Sequence, residues 1–290
     1  MWCARLKGWI DVVPGNSVPV EKVVEDGSHA AEHLLTMCIR ALDYCPAVDV
    51  QFGDFLSAML TADYEILPED GKYGYREALR TCFKAWGLTP ASTTDTAAAA
   101  NRELGEEGMW ETPLGSGSLI CEGVHREYLE RDPDEVFRFI WDNHGALGIC
   151  KDAYTHVQSV RPCVRVGPDG FVLRETVSEY IQMLEVSAVE LGGDTLRIAK
   201  PCGMPDETPV RLNGGGVLVF DDFGRLKYHV RSRIVNADLQ AARLKYLWDN
   251  SIHDSQGRYG FSDGAPRGLR FAMMHLQRSG QLPHGGGWDE

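Results

Sequence analysis

The chain has 290 residues, with 42 acidic against 29 basic side chains and a formal net charge of -13. This balance excludes nonspecific attraction to nucleic acid or to an anionic membrane, because both are themselves negatively charged. Hydrophobic residues make up 43% of the sequence, enough for a core, and no apolar run reaches the roughly 18 residues of a membrane span. The first residues lack the apolar region of a secretory signal, so we expect a cytoplasmic protein.

The N-terminal third of the sequence predicts an irregular lead-in and then a helical domain. Pro14, Gly15 and Pro19 break any long periodic element over residues 1–27. Apolar residues then recur at helical spacing, which predicts a helical domain over residues 28–90. Its three helices are expected at about 29–44, 52–64 and 75–86.

The remaining sequence predicts a linker, a second domain and a tail. Residues 91–130 are rich in Pro, Gly, Ser and Ala with little apolar periodicity, which is typical of a partly disordered linker. Residues 131–248 are expected to form an α+β domain, and residues 249–290 a flexible tail. The predicted elements of this domain are a helix at 133–142, strands at 156–161, 164–166, 175–186, 216–220 and 226–234, and a closing helix at about 238–247.

The predicted fold class is therefore α+β. A helical N-terminal half is followed by a small antiparallel sheet with flanking helices. The residues Asp221, Asp222, Phe223 and Gly224 are expected to form the turn between the last two strands.

The local motif with the clearest chemistry is formed by His29, Glu32 and His33, which have the H-x-x-E-H order of inverted zinc peptidases. Two histidines four residues apart share a helix face and can bind zinc, while the glutamate activates a metal-bound water. A third ligand is still needed, and the nearest downstream acidic cluster comprises Glu103, Glu106, Glu107 and Glu111. The alternative, which we favour because so short a pattern is common by chance, is a solvent-facing glutamate beside two histidines near a helix end.

The remaining histidines, a glycine-rich run and the strand arginines are not predicted to form a catalytic or phosphate-binding site. The histidines are isolated from one another in sequence, and no nucleophile signature accompanies them. The glycines of Asn213–Gly216 precede a predicted strand, whereas a phosphate loop follows one. Several arginines on the strands form a basic subset that suits either an exposed sheet face of alternating charge or an acidic protein partner. These arginines are Arg161, Arg165, Arg174, Arg231 and Arg233.

The eight cysteines include no C-x-x-C pair, so neither a zinc ribbon nor a dithiol redox site is predicted. We expect reduced and mostly buried thiols.

Three stretches of the helical domain carry a more specific pattern than any of these motifs. They run from His33 to Pro46, from Val48 to Asp63 and from Gly74 to Leu88. Their shared features are Arg40-Ala41-Leu42 at the end of a helix, a Phe-bearing helix with Ala58 and Ala62 before Asp63, and a helix closing in Gly87-Leu88. In this order they resemble the C-terminal helical domain of large microbial zinc-metallopeptidase-like proteins of the thermolysin (gluzincin) type. Residues of about 155–247 look like the region that follows in the same family.

The catalytic centre of that family is an H-E-x-x-H helix with a later glutamate ligand, and it lies upstream of the matched block. The present sequence contains no H-E-x-x-H. No catalytic, cofactor-binding or metal-ligating residue is therefore carried over, and no cofactor is predicted in this chain. Zinc is expected only where the upstream half is present.

The resemblance implies a catalytically incomplete C-terminal region that does not cleave peptides alone. An apolar face of the helical domain would then be open to a protein partner. Two alternatives remain open. One is a zinc-dependent peptidase that uses His29, Glu32 and His33, and the other is a noncatalytic protein-binding module.

Overall fold

The computed structural model describes residues 18–68, 73–91, 108–110, 119–120, 125–166, 170, 172–254 and 257–260. Helices of the N-terminal part precede a four-stranded antiparallel sheet, and a further helix follows it, so the α+β class is confirmed. The likeness of the first three helices to a thermolysin-type domain stays a prediction.

The bounds of the helices and strands follow the chain. The helices are α1 (Val20–Ala41), α2 (Phe52–Tyr64), α3 (Tyr75–Ala85), α4 (Pro133–Asp142), the short α5 (His144–Leu147) and α6 (Ala237–Asp249). The strands are β1 (Tyr154–Val166), β2 (Val172–Ser187), β3 (Pro209–Asp221) and β4 (Leu226–Ser232), paired in the order β1-β2-β3-β4. Short 3-10 turns occupy Leu42–Tyr44, Arg126–Tyr128 and Glu190–Gly192.

Helix α1 begins earlier than the sequence pattern predicts. Residues 20–27 belong to the helix and not to the predicted irregular lead-in, since the helix starts directly after Pro19. Lys22 lies 2.9 Å from Glu25 and 3.5 Å from Asp26, and such pairs three and four residues apart support the first turns. Residues 1–17 of the lead-in lie outside the described residues.

Strands β1, β2 and β3 are longer than predicted, and the extensions of β1 and β3 have physical reasons. β1 continues through Pro162, which the prediction treats as a break, because β1 is an edge strand and can lose a ladder donor on its open side. β3 includes the glycines that the prediction places before a strand. A Cβ on Gly216 would lie 2.5 Å from the Val230 carbonyl oxygen and 3.0 Å from the Tyr180 hydroxyl, so only glycine allows this close approach.

Helices cover both faces of the sheet. On one face Val177 and Val219 pack with Leu56 and Met59 of α2 in a single buried cluster. On the other face, Phe220 packs edge-on against Phe139 of α4 with their ring centroids 5.2 Å apart, in a second cluster. A third cluster lies around Val210, Leu212 and Leu244. The predicted helical and α+β domains thus share one core cluster, and the limits of the two domains stay a prediction.

Parts of the predicted linker and tail are packed against this core. In the linker, Trp110 donates its indole N–H to the Tyr44 carbonyl oxygen at 2.9 Å. In the tail, Tyr259 bridges to Val210 of β3, and its backbone N–H donates to the Pro209 carbonyl oxygen at 3.0 Å. The partly disordered linker and the flexible tail stay predictions. Residues 92–107, 111–118, 121–124, 255–256 and 261–290 lie outside the described residues.

A cluster of charged side chains lies between the helices and the sheet. The side chain of Glu175 is fully buried and pairs with Arg165, with Lys227 at 3.0 Å and with the Tyr44 hydroxyl, which donates at 2.7 Å. Arg165 also donates to Asp43 at 2.9 Å. The pairs that extend the cluster are Arg161 with Glu179 and with Asp43, Lys227 with Glu65, and Tyr228 with Glu65. We call this set of residues the buried charge cluster.

Two members of the buried charge cluster, Tyr44 and Arg165, have raised pKa values. Burial raises the pKa of Tyr44 well above its usual value, and the Glu175 carboxylate adds to the shift. Burial alone would lower the pKa of Arg165, but Tyr44, Glu175 and Asp43 outweigh it and raise that pKa above the usual range. Tyr44 is therefore neutral and Arg165 charged at pH 7.

Removal of the central carboxylate is expected to destabilise the protein strongly. Glu175→Ala leaves the Arg165 and Lys227 cations without their shared buried partner, and such a loss costs about 3–5 kcal/mol of the free energy of unfolding. The matched control is Glu185→Ala on the same strand, whose carboxylate is mostly exposed and pairs with Arg211 and Arg258. It should cost less than about 1 kcal/mol. Urea denaturation at pH 7 measures both, and equal losses would contradict a structural role for the cluster.

Candidate functional site

A cleft of about 360 Å³ lies between α1 and the C-terminal end of α2. Its lining from α1 is His29, Glu32, His33, Thr36, Met37 and Arg40. Ala62, Asp63, Ile66 and Leu67 line it from α2 and the residues after it, and Val166 lines it from the end of β1. The cleft is therefore lined both by the H-x-x-E-H motif of α1 and by residues distant from it in sequence.

His33 is fixed by a chain of polar contacts that joins three helices. Its Nε2 lies 2.8 Å from Oδ1 of Asp63, and the other oxygen of Asp63 accepts from Nη1 of Arg76 at 2.8 Å. The His33 ring also stacks on Tyr75 with the centroids 4.2 Å apart. Because an ionised carboxylate only accepts hydrogen bonds, His33 donates to Asp63 through Nε2. The other ring nitrogen, Nδ1, takes no part in this contact.

Arg76 anchors this chain from the interior. Its side chain has no exposed surface, and it donates to the carbonyl oxygens of Leu67 at 2.7 Å and Pro68 at 2.8 Å. A buried guanidinium needs such partners, since an unpaired charge in the interior is strongly unfavourable. Asp63, itself 5% exposed, is held between two cationic or donating groups and fixes α1 against α2 and α3.

The structure brings His29, Glu32 and His33 to the lining of one cleft. Nε2 of His33 is already committed to Asp63. Within the described ranges, no group of three or more His, Cys, Asp or Glu side chains is placed to hold a metal ion. The acidic cluster proposed for a third ligand, Glu103, Glu106, Glu107 and Glu111, lies outside the described residues.

The strand arginines do not form an exposed basic face, which corrects the interpretation of an exposed sheet face of alternating charge, while the acidic partner stays a prediction. Arg161 and Arg165 are buried in the charge cluster. Arg231 is half-buried and donates to the Leu147 carbonyl oxygen of α5. Arg233 is also half-buried, whereas Arg174 is exposed. The alternation of charged residues along the strands is real, but helices cover both faces.

The other candidate groups have structural contacts. Asp221 accepts from the backbone N–H groups of Phe223 and Arg225, both at 2.9 Å, as the predicted turn requires. Nε2 of His229 lies 2.7 Å from the hydroxyl oxygen of Tyr180. Burial, assisted by Arg231 and Arg233, lowers the pKa of His229 to about 3. The ring is therefore neutral at pH 7, and its Nε2 can accept the tyrosine hydroxyl.

The cysteines of the described residues are free thiols, as the sequence predicts. Of the six cysteines that the structure describes, only Cys45 is buried, while Cys82 and Cys202 are exposed, so these six are not mostly buried as predicted. Cys3 and Cys121 lie outside the described residues. Burial raises the pKa of Cys45 to about 12 and that of Cys163 to about 11. Both are therefore protonated and weak nucleophiles at neutral pH.

Sequence reasoning missed Asp63, Arg76 and Arg40 as members of the site. A usable signal for Asp63 was present, because it shares a helix face with the apolar Leu56, Met59 and Leu60. A carboxylate on an apolar face requires a buried partner. The identity of that partner depends on how α3 packs, which the local pattern does not show.

Comparison of the chain with protein-family models, with curated proteins and with solved structures finds no match. None of the helices that the structure describes has both the length and the apolar character needed to cross a membrane.

Loss of the His33 ring is expected to weaken the packing of the three helices. His33→Ala removes a hydrogen bond to a buried carboxylate and an aromatic stack, which together stabilise by roughly 2 kcal/mol. His29→Ala is the matched control, because His29 is an exposed residue one turn away on α1, and it should cost less than about 0.5 kcal/mol. Urea denaturation of both variants at pH 7 tests this. Similar stabilities for the two variants would show that the contact to Asp63 does not hold the helices together.

Proposed function

We propose that this chain is a catalytically incomplete C-terminal region of a zinc-metallopeptidase-like protein and does not cleave peptides by itself. The observation that carries the proposal is the commitment of His33 to Asp63 and Arg76. In the resemblance, the helix that contains His33 is a packing element and not a source of zinc ligands. The polar chain through α1, α2 and α3 is what such a packing block requires.

The outer face of α1 supports a role that depends on a partner. Val24 is 62% exposed and Leu35 is 59% exposed. At 100° per residue they fall on one side of the helix, together with the exposed Val20 and Ile39. Val20 and Val24 form one end of this apolar stripe and Leu35 and Ile39 the other, with Ser28 and Ala31 between them; exposed apolar side chains aligned in this way suit a partner. The proposed occupant of the stripe is the metal-binding region that precedes the matched block in the family.

Acidic side chains run beside this stripe. Glu21, Glu25 and Glu32 lie at successive positions on one edge of it. A partner surface with an apolar centre and basic residues at its rim would therefore be complementary to α1.

The isolated chain is expected to hold no stoichiometric zinc and to cleave no peptide. The purified 290-residue chain, incubated with zinc and desalted, is measured by metal analysis, and hydrolysis is followed with a fluorogenic peptide library. Neither His29→Ala nor Glu32→Gln should change the zinc content or the rate of hydrolysis, since neither residue has a metal to hold or a water to activate. One equivalent of zinc lost in His29→Ala, with hydrolysis abolished by Glu32→Gln, would establish the inverted zinc site instead.

The partner face is tested in cells of the native source with a tagged chain. We expect the chain to be recovered with a zinc-containing region that bears H-E-x-x-H, identified by peptide sequencing. Leu35→Lys should reduce that recovery at least about tenfold, because it places a charge in an apolar interface.

The matched control is Val189→Lys, since Val189 is an equally exposed valine away from α1. It should leave recovery of the zinc-containing region unchanged. Equal recovery with the Leu35 and Val189 variants, or no such region with the unaltered chain, would overturn the proposal of a partner on α1.

A further inference from the structure

The cleft beside α1 combines an apolar wall with one cation, Arg40, for which the described residues provide no carboxylate within ion-pair distance. The apolar lining residues are Met37, Ala62, Ile66, Leu67 and Val166. Arg40 lies at the end near Val166 and donates from Nη2 to the Val166 carbonyl oxygen at 3.2 Å. A guanidinium has five N–H donors, so this single bond leaves most of its donors available.

Arg40 is half-buried, and its surroundings disfavour its charge. Burial lowers the pKa of Arg40, and the nearby Arg165 cation lowers it further, while Tyr44 and Asp63 raise it by less. In the part of the chain that the structure describes, no carboxylate lies within ion-pair distance of Arg40. A bound anion would therefore give Arg40 the ion-pair partner that none of the described carboxylates provides.

The carboxylates that line the cleft are not available to Arg40. Both oxygens of Asp63 are occupied, one by His33 and the other by Arg76. Glu32 is exposed and lies eight residues before Arg40, about 12 Å along the helix axis. His29 lies farther still along α1.

We propose that this cleft binds a small apolar monocarboxylate, with the carboxylate on Arg40 and the apolar body against Met37, Ile66 and Leu67. A planar guanidinium matches a carboxylate with two parallel hydrogen bonds. The volume of about 360 Å³ lies at the small end of ligand pockets, which suits a ligand of about ten non-hydrogen atoms.

The residues that line the cleft favour a ligand with a single negative charge. Asp63 and Glu32 would repel a phosphate dianion more strongly than a monocarboxylate. The apolar wall offers a phosphate nothing in return, whereas it removes the hydrocarbon part of a carboxylic acid from water.

The test is a calorimetric titration of the full chain with 3-phenylpropanoate at pH 7. We expect saturable binding of one equivalent in the millimolar range or tighter. The neutral analogue 3-phenylpropan-1-ol should bind at least about tenfold more weakly, because it cannot pair with a guanidinium. Inorganic phosphate should show no saturable binding.

Two variants assign the binding to the cleft. Arg40→Gln should weaken binding of 3-phenylpropanoate at least about tenfold. The matched control Arg174→Gln, on an exposed arginine of β2, should leave it unchanged. Thr36→Phe fills the cleft from α1 while it keeps Arg40, and it should also abolish binding; unfolding curves of each variant show that the fold is kept.

Equal affinity for the unaltered chain and Arg40→Gln would overturn the proposal, as would tighter binding of phosphate than of 3-phenylpropanoate. The titration involves neither zinc nor peptide cleavage. Its failure would therefore leave the proposed partner-dependent role of the chain untouched.

Discussion

The buried charge cluster is the constraint on which the rest of the structure depends. Glu175 has no exposed side-chain surface, and an isolated carboxylate in such a place would be too costly to remain ionised. Its partners come from separate parts of the chain, since Tyr44 follows α1, Arg165 lies in β1 and Lys227 in β4. The two cations come from the sheet, and the Tyr44 hydroxyl joins the carboxylate to the segment that follows α1.

The same cluster fixes which face of the sheet meets which helices. Side chains alternate across a strand, so a slip of β2 by one residue would turn Glu175 and Glu179 to the opposite face. There they would meet the apolar surface around Phe139 and Phe220 in place of their cationic partners. Buried ion pairs contribute little net stability, but breaking one is costly. The cluster thus acts more by penalising wrong registers than by stabilising the correct one.

Local sequence patterns were sufficient to predict most helices and strands. They were insufficient to predict which other elements pack against each of them. The bounds of α2 and α4 follow from apolar spacing and from the turn or capping residues at their ends, and these signals lie within a few residues of the element. The burial of Arg161 and Arg165 could not be predicted in this way. An alternating pattern shows which residues share a face, but the helices that cover that face come from a distant, earlier part of the chain. The pairing of His33 with Asp63 depends on the same kind of long-range packing.

Helix α1 presents three surfaces whose relative positions are fixed by the helix itself. Met37 and Ala41 face the core, Arg40 faces the cleft, and Val24 and Leu35 face outward. Glu32 lies on the boundary between the outward stripe and the cleft.

A partner seated on the stripe would therefore exclude water from the rim of the cleft. Attraction between Arg40 and a bound carboxylate strengthens as water is removed, because the local dielectric constant falls. If both proposals hold, the two sites are coupled through the rim of a single helix. Since coupling free energies are reciprocal, a carboxylate in the cleft would then strengthen the binding of the partner by the same factor.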